Sequence, residues 1–217
     1  MRIIAGQWRG RTIEAPPGQA TRPILDRAKT VLFDMLGHRL ATPGQVPPTA
    51  VLDVFAGSGA LGIEALSRGA TFCTFIEKDR KTAALIGRNI DKLHAQEQAQ
   101  VLAVDALRHE WQGPPPQAEA AAYRLVFVDP PYHMLETLRP GDAMSRLLDR
   151  LATSGSIATD ALLVIRHGID KHNDPDLLPL LETERRDVGT MAFRFCRKPS
   201  VSTPDASTVI SDAKAGL

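Results

Sequence analysis

One stretch of the 217-residue chain, Val51 to Gly62, restricts the possible folds more than any other. It reads Val-Leu-Asp-Val-Phe-Ala-Gly-Ser-Gly-Ala-Leu-Gly. The apolar run from Val51 to Phe55 has the pattern of a strand buried on both faces, which is the habit of parallel sheets. Gly57, Gly59 and Gly62 then break the run, and Ile63-Glu64-Ala65-Leu66 continues as a helix. A strand, a tight glycine turn and a helix make a nucleotide-type site. The backbone can approach a ligand there, and the helix start offers unpaired N–H groups. Gly-x-Gly-x-x-Gly alone is a weak signal, but its setting strengthens it. Glu77 ends the next strand-like run, Thr71 to Ile76, and lies 20 residues after Gly57. That is the spacing of an acid that grips ribose hydroxyls.

The rest of the chain keeps alternating strand and helix patterns. Pro23 to Leu40 reads as a helix with proline in its first turn and Leu25, Ala28, Leu32, Met35 and Leu36 on one face. Residues 41–48 form a Pro/Gly linker and a soft boundary. Beyond the glycine turn come a helix from Asp79 to Leu93, a third strand at Val101 to Val104, and a fourth at Leu125 to Val128. A helix from Ala143 to Leu151 and a fifth strand at Ala161 to Ile165 follow. Leu180 to Arg186 and Met191 to Cys196, around Val188-Gly189, form an antiparallel hairpin. The expected fold is α/β and Rossmann-like: a doubly wound, mostly parallel seven-stranded sheet with a C-terminal hairpin and a small N-terminal arm and helix. Residues 199–217 lack aromatics and are rich in Ser, Thr, Ala and Asp, which predicts a disordered tail.

The net charge of +1 advertises no polyanionic partner. Its distribution is uneven, since residues 1–40 hold seven basic side chains against three acidic ones. In that segment Arg2-Ile3-Ile4-Ala5 and Thr12-Ile13-Glu14 flank a turn containing Trp8, Arg9 and Arg11. Its arginines suit phosphates, while Trp8 either stacks on a base or packs the arm onto the domain. Arg22, Arg27 and Lys29, near the first helix start, are candidates to face a substrate. Cys73 and Cys196 sit in apolar runs without metal spacing and read as buried reduced thiols. The six histidines form no metal-ligand pattern, so no metal is expected. With no signal peptide and no apolar run of about 18 residues, the chain is expected to be cytoplasmic, with no membrane association.

The chemistry is concentrated at the carboxyl ends of the strands, where open parallel sheets bind ligands. Asp53, Glu77, Asp105 and Asp129 all lie at or near such ends, and buried carboxylates without partners are costly. Asp129-Pro130-Pro131-Tyr132 is the most specific signal. The prolines stiffen the backbone and remove two N–H donors. The Asp129 carboxylate and the Pro130 carbonyl are left as acceptors beside the flat face of Tyr132. This suits a planar group that bears an NH2 and gives its hydrogens to two acceptors, freeing the nitrogen lone pair for attack.

Asp-Pro-Pro-Tyr after strand four, with Asp-x-Phe-Ala-Gly-Ser-Gly-x-Leu-Gly after strand one, resembles S-adenosylmethionine-dependent methyltransferases acting on exocyclic amines of bases. The whole pattern resembles the RsmD family, guanine-N2 methyltransferases of 16S ribosomal RNA. The likeness includes the arm Met1 to Arg11, Arg22-Pro23 with Asp26-Arg27 and Leu32-Phe33, and Glu64 to Ala70, and runs from residue 1 to roughly 197. It implies that Phe55, Ala56, Gly57, Ser58 and Gly59 lie along the methionine part of S-adenosyl-L-methionine, with Asp53 nearby. Glu77 would take the ribose hydroxyls and Asp105 with Ala106 the adenine. Asp129, Pro130 and Tyr132 would hold the guanine amine in line with the sulfonium methyl. Trp8, Arg9, Arg11 and Arg22 would contact RNA. The implied partner is ribosomal RNA within a small-subunit particle, met by a monomer. Residues 1–45 become an RNA-binding extension and 46–198 the cofactor-binding methyltransferase domain. Ile24 and Val188 depart from the family's usual threonine and tyrosine, on the substrate side.

Three other readings remain open from the residues. An adenine-N6 methyltransferase would use the same acceptor cluster. A nicotinamide-dependent dehydrogenase explains the glycines and Glu77 but gives Asp129 to Tyr132 no role. A non-catalytic RNA-binding module with a relic cofactor fold leaves the intact acceptor cluster unexplained.

Overall fold

Continuous burial along the central strands builds the sheet, and a computed structural model describes it for residues 1–16, 26–110, 112–169 and 174–199. The elements are α1 (Asp26–Arg39), β1 (Ala50–Val54), α2 (Ala60–Ser67), β2 (Phe72–Ile76), α3 (Arg80–Leu93), β3 (Ala99–Leu102), β4 (Tyr123–Val128), α4 (His133–Glu136), α5 (Ala143–Thr153), β5 (Ile157–Gly168), β6 (Leu181–Val188) and β7 (Met191–Arg197). The strand order is β3-β2-β1-β4-β5-β7-β6. Pairings from β3 through β5 are parallel, and β7 runs antiparallel to both β5 and β6. The expected doubly wound sheet with a C-terminal hairpin is therefore present. Arg22, Pro23, Ile24, Leu25 and the tail from Ser200 onward lie outside the described residues.

The two faces separate cleanly. Val51, Cys73, Phe75, Leu125, Phe127, Val164 and Phe195 point to one side, against the arm, α1, α2 and α3. Leu52, Val54, Ile76, Val126, Val128, Leu163 and Ile165 point to the other, against Met144, Leu147, Leu148 and Leu151 of α5. Side chains one residue apart on a strand face opposite ways, so these strands are apolar on both sides. Both cysteines are buried free thiols, as expected. β3 lies two residues earlier than the sequence suggested, because it is a half-buried edge strand whose apolar run spills into the following loop.

The N-terminal arm and α1 share a core with the sheet: Ile3, Trp8, Ile13, Ala28, Leu32, Phe33 and Leu36 belong to the same apolar cluster as β1 and α2. The arm closes on itself through an Arg2–Thr12 bridge. A buried carboxylate then ties it down. Glu64, 0% exposed on α2, accepts from the N–H groups of Ile4 (2.9 Å) and Ala5 (3.0 Å), from Arg68 (2.9 Å) and from Lys29 (3.4 Å). Lys29 is itself 0% exposed and also donates to the Arg2 carbonyl. The expectation that Lys29 faces a substrate is thus corrected: a buried ammonium needs a buried counter-charge, and Glu64 supplies it. Gly6 crosses α2 so closely that a Cβ there would lie 1.7 Å from the Ser67 carbonyl oxygen.

Removing one partner of such a buried pair leaves an unpaired charge, so Glu64→Gln should cost about 3–5 kcal/mol in chemical denaturation. Amide exchange at Ile4 and Ala5 should speed up in parallel. A loss below about 1 kcal/mol, the range of an exposed pair, would contradict the hub role.

Candidate active site

The glycine turn follows β1 through a run of unusual backbone. Phe55, Gly57 and Gly59 have φ of 62°, 56° and 78°. A left-handed conformation at a bulky residue such as Phe55 is a strained outlier of the kind that collects at functional sites. Gly62 is required for packing, since a Cβ would lie 2.4 Å from the Phe75 ring and 2.5 Å from Cys73 Sγ. This is the close helix-on-strand approach expected of the third glycine.

Two carboxylates hold the turn. Glu77 Oε2 accepts from Gly57 N–H at 3.0 Å, and its Oε1 accepts from Asp79 N–H at 2.8 Å. Asp53 Oδ2 accepts from Gly62 N–H at 2.9 Å. In a dinucleotide site the amides of this turn and helix start face a pyrophosphate. Here two of them already bind the chain's own carboxylates. A diphosphate would meet negative charge at this place, whereas a ligand carrying a positive charge is favoured.

A cleft of about 890 Å³ opens at the carboxyl end of the sheet. It brings together Phe55, Ala56, Gly57, Ser58, Glu77, Asp105, Ala106, Asp129, Pro130 and Tyr132 from the sequence-predicted set. Two predicted residues stand outside its lining. Asp53 is 1% exposed and acts behind the turn, through Gly62. Gly59 precedes α2 at a position where a Cβ would crowd Ile86, Ile63 and Phe75. Asp105 shapes its own loop by accepting from Leu107 N–H at 3.0 Å, and Arg150 donates to the Ala106 carbonyl at 2.7 Å.

At the end of β4, Asp129 N–H donates to the Val54 carbonyl at 3.2 Å, tying the catalytic candidate to β1. The carbonyls of Pro131 and Tyr132 are used by the N–H groups of Met134 and Leu135 as α4 begins. Among the described residues none donates to the Pro130 carbonyl, which leaves it as an acceptor. Tyr132 packs tightly on β5, where a Cβ at Gly168 would lie 3.0 Å from the ring. Its hydroxyl is buried without a hydrogen-bond partner among the described residues.

A residue that the sequence reading missed completes this wall. Arg166 donates from Nε to Asp129 Oδ1 at 2.6 Å, and its guanidinium lies 5.7 Å from the centre of the Tyr132 ring. The apolar run suggested a strand ending at Ile165, but β5 continues to Gly168. Val128 pairs with Ile165, so one more step along both strands brings Asp129 beside Arg166. An arginine directly after a buried strand, at the sheet end where the acids collect, was the available signal.

The RNA candidates separate. Arg9 and Arg11 are exposed on the arm. Trp8 is only 8% exposed within the core, and its N–H donates to Ser67 Oγ at 3.1 Å. Base stacking by Trp8 is therefore corrected to packing of the arm. Arg22 lies outside the described residues. Among the described residues no group of three or more His, Cys, Asp or Glu could hold a metal, and no helix is long and apolar enough to cross a membrane.

The strand order and the cleft place the chain among methyltransferase-like α/β folds. N-methyltransferase NodS from Bradyrhizobium japonicum shares the fold at a TM-score of 0.57 and 16% identity, over 80% of this chain and 95% of that one. The solved structure of yhhF from Escherichia coli aligns at a TM-score of 0.71 with 32% identity, covering 91% of this chain and 98% of that one. The sequence profile of the family described as Conserved hypothetical protein 95 matches residues 1–197. Ribosomal RNA small subunit methyltransferase D of Escherichia coli strain K12 is 32% identical over 208 residues, 95% of this chain and 94% of that one. The chain belongs to this family, the RsmD family.

The residues fit S-adenosyl-L-methionine. The turn admits close backbone approach, and the Glu77 carboxylate that lines the cleft beside it favours a cation. Burial pushes the Asp53 carboxyl up to about 7, and the charges of Asp129 and Glu77 add to the shift against the Gly62 hydrogen bond. A carboxyl raised from 3.8 on folding stabilises the fold fully below that value and loses the contribution as pH rises through about 7. Relative to Asp53→Asn, the wild type should therefore lose stability between pH 5 and pH 8 in urea titrations. Parallel pH profiles would show that Asp53 does not titrate there.

Proposed function

We propose that the chain transfers a methyl group from S-adenosyl-L-methionine to the exocyclic N2 amine of a guanine in small-subunit (16S) ribosomal RNA. The observation that carries this is the acceptor edge of Asp129 and Pro130, beside Tyr132, in the same cleft as the carboxylate-held glycine turn. When bound, the cofactor supplies an electrophilic methyl on a positively charged sulfur. The chain's part is positioning and electrostatics. Asp129 and the Pro130 carbonyl accept the two amine hydrogens, which pulls the nitrogen lone pair out of conjugation and aims it at the methyl. With the cofactor held by the turn, transfer would form one N–C bond for the one C–S bond broken, and the amine's surplus proton would be released to solvent. No covalent enzyme intermediate is needed.

The choice of guanine and of ribosomal RNA rests on family membership and on the matching arm, turn and Asp-Pro-Pro-Tyr segments. The exposed Arg9 and Arg11 supply phosphate contacts on the arm.

The test incubates purified protein and labelled S-adenosylmethionine with small ribosomal subunits from cells lacking the modification, beside naked RNA and DNA, and identifies the labelled nucleoside. N2-methylguanosine in ribosomal RNA is expected. N6-methyladenine, or no transfer to any substrate, would overturn the assignment. Asp129→Ala should lower the transfer rate at least about tenfold, roughly 1.4 kcal/mol of barrier, while calorimetry shows cofactor binding retained. Turnover near wild type would refute the role given to Asp129.

A further inference from the structure

Arg166 has no role in the reading above, yet the structure ties it closely to the reacting edge. Its side chain is 6% exposed and that of Asp129 is 17% exposed, so the pair is largely out of water. The Nε–Oδ1 distance of 2.6 Å is that of a strong charge-assisted bond. Among the described residues nothing donates to Oδ2, the other oxygen. The pair also follows from the fold, because β4 and β5 are in parallel register up to Val128 and Ile165.

We propose that Arg166 is a positioning residue that makes Asp129 a one-sided acceptor: it fixes Oδ1, leaves Oδ2 for a hydrogen of the target amine, and keeps the carboxyl ionised. This inference rests on the amine-methylation reading. The chemistry requires it, because a protonated carboxyl would turn one oxygen into a donor and could no longer draw the amine hydrogens as an anion. Burial pushes the Asp129 carboxyl up, and Arg166 is the positive charge that opposes this. The guanidinium also lies over the Tyr132 ring, so one side chain steadies both the acceptor and the aromatic wall. Arg166 Nη1 is buried with no hydrogen-bond partner among the described residues. Keeping such a donor unsatisfied opposes folding. The fold holds the guanidinium there despite that cost, as expected if its place is set by Asp129.

Other charges face the pair. Asp53 on β1 couples to both Asp129 and Arg166, Glu77 and Lys78 follow β2, Asp105 follows β3, and His133 and Glu136 stand on α4. Comparing each variant with wild type at the same pH cancels the titration of these groups, and repeating the comparison in an Asp53→Asn background removes the strongest coupled one.

The experiment measures single-turnover transfer to unmodified small subunits, with saturating labelled S-adenosylmethionine, from pH 6.0 to 8.5. Wild type, Arg166→Gln and Arg166→Lys are compared, with cofactor affinity followed by calorimetry. The rate ratio of Arg166→Gln to wild type should fall at least about tenfold from pH 8.5 to pH 6.0, as a carboxyl without its counter-charge becomes protonated. Arg166→Lys keeps the charge and should show a ratio nearly constant with pH. Cofactor affinity should stay within about threefold of wild type for both, since neither change alters the turn that binds it. A ratio reduced equally at every pH, or an unchanged rate, would overturn the inference. So would a pH-dependent fall as steep in the lysine variant, which also decides the matter if the glutamine variant does not fold. Wild-type protein that makes no N2-methylguanosine would instead remove the reading beneath the inference, so the two failures are distinguishable.

Discussion

The hydrogen bond from Gly57 N–H to Glu77 decides what the cleft can receive, and the one from Gly62 N–H to the buried Asp53 braces the turn from behind. A glycine turn opening a helix is by default an anion site, because its amides have no other partners and the helix dipole adds positive potential. Here both carboxylates come from adjacent strands of the same sheet and bind those amides directly. Glu77, which lines the cleft, converts a generic phosphate cradle into one that prefers a cation. The left-handed Phe55, the glycines at 57 and 59, and the close fit of Gly62 on Phe75 are the backbone conditions that let these bonds form.

A second carboxylate hub works in the middle of α2. Glu64 gathers the arm, α1 and Arg68 around one buried charge. Its contribution is geometric as much as energetic. Buried ion pairs often gain little net stability over apolar substitutes, but a buried carboxylate accepts only donors arriving in the right places. The arm is thereby fixed against the same helix that starts at the glycine turn, and Met1, Ala15 and Pro16 line the cleft beside the cofactor residues. The exposed arginines of the arm are thus held in a fixed relation to the reacting edge.

Much of this was legible in the sequence because the physics is local. The continuous apolar runs of the buried strands, the spacing of Glu77 from Gly57 and the rigid Asp-Pro-Pro-Tyr turn each need only a few neighbouring residues. What escaped the sequence depends on partners distant along the chain. Lys29 looked like a helix-start cation facing a substrate, and only the packing of α1 on α2 shows that it is buried against Glu64. Trp8 allowed stacking or packing with equal force until the docked arm decided for packing. Arg166 was lost because a charged residue seemed to end an apolar strand, although its charge is matched by Asp129 from the adjacent strand. In each case a charge or ring was read by its own neighbours, while its position is set by a partner 35 to 59 residues away.

The most direct test of the central claim is a comparison of ligand affinities for the wild-type protein at neutral pH by calorimetry. S-adenosylmethionine should bind at least about a hundredfold more tightly than a nicotinamide dinucleotide, a difference of roughly 2.7 kcal/mol. Equal or tighter binding of the dinucleotide would contradict the account, because it would mean that Glu77 does not exclude a diphosphate from the turn.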